Sequence, residues 1–461
     1  MPRIVVLFAA GLLLACGPKY DPTLPDSKDL GTVRGLYRFA RVITHFHSPY
    51  SYDACDYAGL SGGTPNAACV QHIKTAVCKN RVDFLFMSDH PDNMAAHEFN
   101  ELLLLEPGDQ QYLSYANRVG SCEDGFKPVL TVGFESQAFM GLGMTQHLGT
   151  GPSDRAGLYI DSTITLRDSL ATGPADAIVA IPHTENKETA WINSVNPHAI
   201  EIFNIHALID PKSRKTYLGL APFSHIPGFL TYLVDPYKTL NPDFGFMNFL
   251  EVSELYFSKW NSLLAGALKV AGIGGTDSHE NVFPQTASDG ERLDAHRRLT
   301  RIMSNHVLVT SLDLASVKAA IKNAQSYVVF EGLGTPALMD FYATTNGGGT
   351  TVEMGNTGGA IGTGATIYVS LPTLHPQTSK NSELPVISIV LKKVLTGGAD
   401  QIVATTTGAN LQYAVPSSGG AGAYRAEVSI VPKHLRDFLG IFSDNADKEY
   451  KWIITNHIYL N

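Results

Sequence analysis

Apolar run after apolar run in the first two-thirds of this sequence stops on a histidine, an aspartate or a glutamate, and that habit narrows the folds open to it. Arg41–Thr44 is followed by His45 and His47. Val82–Met87 (VDFLFM) leads into Ser88–Asp89–His90, Pro128–Phe134 into Glu135, Ala177–Ile181 (AIVAI) into Pro182–His183, and Ala199–Phe203 into Asn204. Val270–Ile273 runs into Gly274–Gly275–Thr276–Asp277–Ser278–His279, and a last strand is expected at His306–Val309. Helical patterns lie between: Cys69, Val70, Ile73, Ala76 and Val77 behind a Thr64 N-cap and Pro65; Leu263, Leu264, Ala267 and Leu268 behind Ser258; and Leu312–Ala324. The alternation predicts an α/β fold with parallel strands, which gathers function at the carboxyl ends of its strands.

The stretch Thr44–Asp53 (THFHSPYSYD) is the sharpest instance. Residues i and i+2 of a strand share a face, so His45 and His47 project together while Phe46 turns away. Paired neutral imidazoles suit zinc, manganese or iron. The candidate ligands in chain order are His45, His47, Asp53, His90, Glu135, His147, His183, Asp277 and His279. His72, His97, His198, His206, His225, His296 and His306 lack strand-end placement and read as structural or surface residues. Of these, His97 and His206 lie closest after expected site turns.

With 461 residues, two domains are expected. The segment His206–Phe249, rich in Pro, Tyr and Phe, reads as a packed insertion rather than a lid. From Pro336 the texture changes: Gly and Thr are dense over Thr344–Gly364. Alternating runs then follow at Ala365–Leu371, Val386–Val394, Ala423–Val431 and Lys451–Leu460. These predict a smaller all-β sandwich over 336–461, with His457 structural. A net charge of −9 excludes broad nucleic-acid binding, since no basic field is present to neutralise phosphates; a local basic pocket stays open.

The amino terminus reads as a targeting segment. Arg3 precedes the apolar run Ile4–Ala15, too short to span a bilayer, and Leu13–Leu14–Ala15–Cys16–Gly17 resembles a bacterial lipobox. Residues 1–16 are then a lipoprotein signal with Cys16 lipidated, and 17–34 a tether. A plain secretory peptide is the alternative. The expectation is an exported lipoprotein on the outer membrane or cell surface, with a periplasm-facing orientation as the alternative. In an oxidising compartment Cys55, Cys69, Cys78 and Cys122 would form two disulfides. Of three connectivities, Cys55–Cys69 with Cys78–Cys122 is preferred, because the first closes the loop Gly59–Asn66.

Together, HFHSPYSYD, FLFMSDH, Pro182–His183 and GGTDSH, with Glu135 and His147 between them, resemble the polymerase and histidinol phosphatase (PHP) family of metal-dependent phosphoesterases. The resemblance covers about Gly35 to Leu333; the family more often carries His-Pro where this chain has Pro-His. It implies a distorted (β/α)7 barrel, here 35–335, holding two or three divalent ions (Zn, Mn or Fe). By that likeness His45, His47, Glu135 and Asp277 share one ion, with Glu135 bridging. Asp53 and His90 serve another, His147 and His183 complete the cluster, and His279 closes the first site. Asp89 would orient an imidazole.

The implied activity is hydrolysis of a small phosphorylated substrate through a metal-activated hydroxide, with Asp277 and His183 as catalytic residues and Asp277 accepting a proton. A phosphoesterase also needs cations for phosphate, and Asp289–Arg301 (DGERLDAHRRLTR) offers Arg292 and Arg298 beside Arg297 and Arg301. The competing reading of that block is a solvated helix face paired with its own acids. Two other functions stay open. An Arg-poor cavity would favour an amidohydrolase-like enzyme acting on an amide or ester. A metal-free protein would be a surface binding module, its sandwich holding a partner or polysaccharide.

Overall fold

The computed structural model describes residues 23–120, 122–235, 240–358, 364–375 and 383–461. Cys16 and the expected signal segment lie outside them. The architecture is mixed α/β around one large sheet of 13 strands and a second of five. In the large sheet Phe84–Phe86 runs parallel to both Arg38–Ile43 and Val129–Thr131. Ser304–Val309 adds antiparallel to Arg38–Ile43, and Ser326–Val329 follows it. The second sheet runs Ala271–Gly275, Ala199–Asn204, Ile178–Ile181, Met140–Leu142, Phe134–Glu135, its first three strands parallel. These strands are buried on both faces, as their unbroken apolar runs require.

A distorted (β/α)7 barrel was the expectation; the hydrogen bonding divides its strands between two sheets. The run Pro128–Phe134 is where they part. Val129–Thr131 belongs to the large sheet and Phe134–Glu135 to the other, where it turns back as a hairpin on Met140–Leu142. Gly133 sits at the break, and a Cβ there would strike the Met87 and Gly141 carbonyl oxygens. The sheets touch again at their carboxyl ends through single bridges, Phe46 with Ser278 and Asp89 with Phe134. Those bridges bring the polar strand ends to one place.

The carboxyl-terminal strands do not form a free-standing sandwich. Tyr450–Thr455 pairs with Ser326–Val329, and Gly422–Val431 and Val386–Val394 follow, so the large sheet continues past residue 336. Phe341–Thr345, Thr350–Glu353, Ala365–Val369 and Leu411–Val415 make a separate antiparallel sheet. Asn456 exchanges hydrogen bonds with both backbone groups of Gly272 (2.7 and 3.1 Å), tying the two parts together. The described part of the expected tether is also packed rather than free: Leu24, Leu30 and Val33 are buried, and Arg34 pairs with Asp340 and Glu353.

Local signals shift some helix starts. Thr64–Pro65 pairs with Leu60–Ser61, and Asn66 caps Ala67–Lys79 by accepting from Ala68 N. Ser253, not Ser258, caps Glu254–Ala265. The insertion is packed through Phe229, Tyr232, Phe244, Phe246 and Phe249. Among the described residues no helix is long and apolar enough to cross a membrane.

Candidate metal centre

Four ligand-bearing side chains from three strand ends meet beneath a cleft of about 190 Å³. His45 Nε2 lies 3.4 Å from Glu135 Oε2 and 3.2 Å from Asp277 Oδ1; His47 Nε2 lies 3.5 and 3.3 Å from the same oxygens. None of these four atoms has a hydrogen-bond partner, although all are buried. An ion held tetrahedrally by N and O donors at about 2.1 Å sets those donors about 3.4 Å apart. Orphaned polar atoms cost free energy unless something satisfies them, so the spacing and the lack of partners both fit a divalent cation.

A second group adjoins the first. Ligand atoms of His47, Asp53, His90 and His279 lie within 4.8 Å of one another. Asp53 Oδ2 is 3.6 Å from His90 Nε2 and 3.4 Å from His279 Nε2, and the latter nitrogen is again buried without a partner. On the other side His183 Nε2 stands 3.3 Å from both Glu135 Oε1 and Asp277 Oδ2, with His206 Nδ1 3.4 Å from the latter oxygen. Glu135 and Asp277 therefore turn one oxygen to each neighbouring group, as bridging carboxylates do.

The electrostatics ask for positive charge. Burial pushes His45 and His183 down, yet the surrounding carboxylates raise both well above the ordinary imidazole value. His90 is raised to about 9 against its burial by Asp53 and Glu135. His47 instead is held at about 4 by burial, a neutral imidazole.

Other side chains hold the donors in place. His47 Nδ1 meets Ser51 Oγ at 2.9 Å, and that hydroxyl donates to Asp53 Oδ1 (3.1 Å). His183 Nδ1 meets Glu185 Oε1 at 3.1 Å; Tyr256 donates to Glu185, and Lys259 grips the carbonyls of Thr184, Glu185 and Lys187. His45 Nδ1 lies 2.7 Å from Glu201 Oε1. Asp89 orients no imidazole: it accepts from Ser48 N (2.6 Å) and Ser48 Oγ (2.7 Å), fixing the turn after the paired histidines.

Three expected site residues lie elsewhere. His147 is buried outside the cluster, its ring nitrogens against Tyr159 OH (2.8 Å) and the His97 carbonyl (3.0 Å). Burial and Arg155 hold it neutral, at about 4. Arg292 is bound to Asp56 and Asp294, and buried Arg298 to Asp243 and Asp289, so both guanidinium groups are consumed by internal acids. The cleft is lined by Asp53, His90, Glu135, His183, His206 and Asp210 among others, with no arginine or lysine among the described lining residues. His206 and Glu201 were not among the expected ligands or supports. His206 follows the strand end at Asn204 by two residues, the signal used for the other ligands; Glu201 is mid-strand, where that signal is silent.

Cys55 pairs with Cys69 and Cys78 with Cys122, the preferred connectivity. The first pins the turn after Asp53, where Cys55, Asp56 and Tyr57 all have positive φ. Cys55 N donates to the carbonyl of His279 (2.8 Å), so this turn braces two members of the second group.

No family model matches the chain, and no curated protein matches it. Among solved structures the chain is similar to a Bacteroides vulgatus protein described as a two-domain protein containing a predicted PHP-like metal-dependent phosphoesterase. The TM-score is 0.34 and the identity 11%, over 95% of this chain and 100% of that one. At that similarity the likeness carries no argument, and the site stands on its own residues.

Proposed function

We propose that this protein is a metal-dependent hydrolase of phosphate esters. The observation that carries the hydrolase reading is the convergence of buried, unpartnered donor atoms at ligand spacing on shared carboxylates. His45, His47, Glu135 and Asp277 would hold one ion. Asp53, His90 and His279 would hold its neighbour, and His183 and His206 would face a third across Glu135 and Asp277. Divalent ions bound there supply Lewis acidity and a water activated for attack at neutral pH. Where only two ions bind, His183 Nε2 is free of metal and, with Nδ1 fixed on Glu185, can hand a proton to the leaving oxygen. Asp277 Oδ2, facing His183 and His206, is placed to take one.

Phosphate is the substrate class that fits the charge. Three divalent ions would outweigh the four carboxylates of Asp53, Glu135, Asp210 and Asp277 that line the cleft, so an anion could bind there without arginine. The absence of arginine among the described lining residues also favours a second reading, hydrolysis of an amide or ester at the same ions. A distorted barrel with a β-rich tail, as the PHP resemblance implies, is the fold we assign to this reading. We further propose export and lipidation at Cys16, supported by the lipobox-like sequence and the two disulfides.

The test is metal analysis of the purified protein, with turnover of phosphomonoester, phosphodiester, ester and amide panels and His45→Ala as control. Phosphoester turnover lost in His45→Ala is expected. Turnover that survives the substitution overturns the mechanism; activity confined to esters or amides retires phosphate and keeps the metal centre.

A further inference from the structure

Glu201 is a carboxylate buried in the middle of the apolar strand Ala199–Asn204, and no lysine or arginine pairs with it among the described ion pairs. A buried charge of that kind has to be compensated by hydrogen bonds. Its Oε1 meets His45 Nδ1 at 2.7 Å. Its Oε2 accepts from the backbone N–H of His183 (2.7 Å) and from Asn204 Nδ2 (3.0 Å). One carboxylate thus touches residues of two neighbouring ligand groups. His183 sits at φ 48°, a conformation costly for a residue with a side chain, and its N–H is the group Glu201 holds.

The same contact explains a motif residue. Gly275, the second glycine of GGTDSH, would carry any Cβ into Glu201 Oε1 and within 3.2 Å of His45 Cβ. The Ala199–Asn204 strand shifts register against Ala271–Gly275 between Glu201 and Phe203, which is where this approach occurs. Glycine at 275 is therefore the space the carboxylate occupies.

We propose that Glu201 is a positioning residue shared by two ligand groups of the metal centre, fixing His45 with its proton on Nδ1 and its lone pair on Nε2 while anchoring His183, and that Gly275 exists to admit it. This rests on the metal-centre reading but not on the phosphate reading. The test is therefore metal affinity, measured for Mn²⁺ by competition with a chelating indicator, with thermal unfolding as the folding control. Glutamine at 201 can offer an oxygen to His45 or to His183, and its amide then opposes an N–H or inverts the His45 tautomer.

Glu201→Gln is expected to stay folded and lose about 10–100-fold in affinity, the scale on which such outer partners act. Gly275→Ala should lose a similar factor, and the double variant should be no worse than the worse single one. Folded Glu201→Gln at wild-type affinity, or additive losses in the double variant, overturns the proposal. Should the variants fail to fold, histidine-selective NMR of the zinc-loaded wild-type protein decides. His45 ligated through Nε2 with Nδ1 protonated is expected; ligation through Nδ1 overturns it.

Discussion

Two clusters of charged and titratable side chains look alike in the sequence and differ in one physical respect. At the strand ends, His45, His47, Glu135, Asp277 and His279 bury atoms that have no partner. In the block after residue 288, Arg297 closes on Asp243 through two hydrogen bonds (2.6 and 3.0 Å) and on Glu291, while Arg298 joins Asp243 and Asp289. The first cluster has donor atoms left over and is built for something absent from the chain. The second has spent its charges on itself. Composition and spacing do not separate a ligand site from an ion-pair network; satisfaction of the buried atoms does.

The two clusters should therefore fail differently. Asp277→Asn in the open cluster should cut turnover by about 10²–10³-fold or more, the scale set by loss of one electrostatic stabiliser, and lower metal content with little loss of fold. Turnover assays beside elemental analysis check both. Asp243→Ala in the closed cluster should instead cost up to about 3–5 kcal/mol, because buried Arg297 and Arg298 lose the carboxylate they share and keep only Glu291 and Asp289. Urea unfolding measures it. The folded fraction should keep its metal. A fall in metal content from Asp243→Ala, matching that of Asp277→Asn, would erase the contrast.

What the sequence makes legible follows the same line. His45, His47, His90, Glu135, His183, Asp277 and His279 stand at strand ends or just past them, and strand ends are readable from apolar periodicity. Asp53 falls in a loop but is tied back by Ser51. His147 shows where the rule runs out: it follows a hairpin whose direction no periodicity encodes, and its ring turns to Tyr159. Arg292 and Arg298 misled because a sequence displays charges and not their partners. Glu201 stayed hidden as a buried acid inside an apolar run. The division into two sheets was invisible because Pro128–Phe134 is continuously apolar through Gly133, where the chain changes sheet.

The disulfides extend the comparison at a smaller scale. Cys78–Cys122 spans 44 residues and Cys55–Cys69 spans 14, so chain entropy makes the first worth about 4 and the second about 3 kcal/mol. Position reverses the ranking for the metal. Replacing Cys55 and Cys69 by serine frees the left-handed turn bonded to His279 and should release ions from the second group. The same replacement at Cys78 and Cys122 should lower stability and leave metal stoichiometry intact. Equal metal loss from both would show that the Cys55 turn has no particular hold on Asp53 and His279.

A third cluster, in the carboxyl-terminal strands, gives the smallest and most specific prediction. Glu427 is fully buried; burial pushes its carboxyl up, but Arg425, Lys451 and Lys392 outweigh burial and bring it from 4.5 down to about 2. Lys451 Nζ is 2.6 Å away, and Lys392 Nζ and Arg425 each reach 2.9 Å. A carboxyl with a lowered folded value stabilises the fold above its unfolded value, and that contribution drains as pH falls from 4.5 through about 2. The full loss corresponds to about 3 kcal/mol at 1.36 kcal/mol per pH unit. Glu427→Gln has no such proton to take up. It should be less stable than the wild type near neutrality and lose less between pH 4.5 and 2, so the two curves converge in acid. Comparing the two proteins in the same metal state cancels the acid release of ions, which both share. Parallel curves would mean that Glu427 is not held by its three cations, and would place this cluster with the open one rather than the closed.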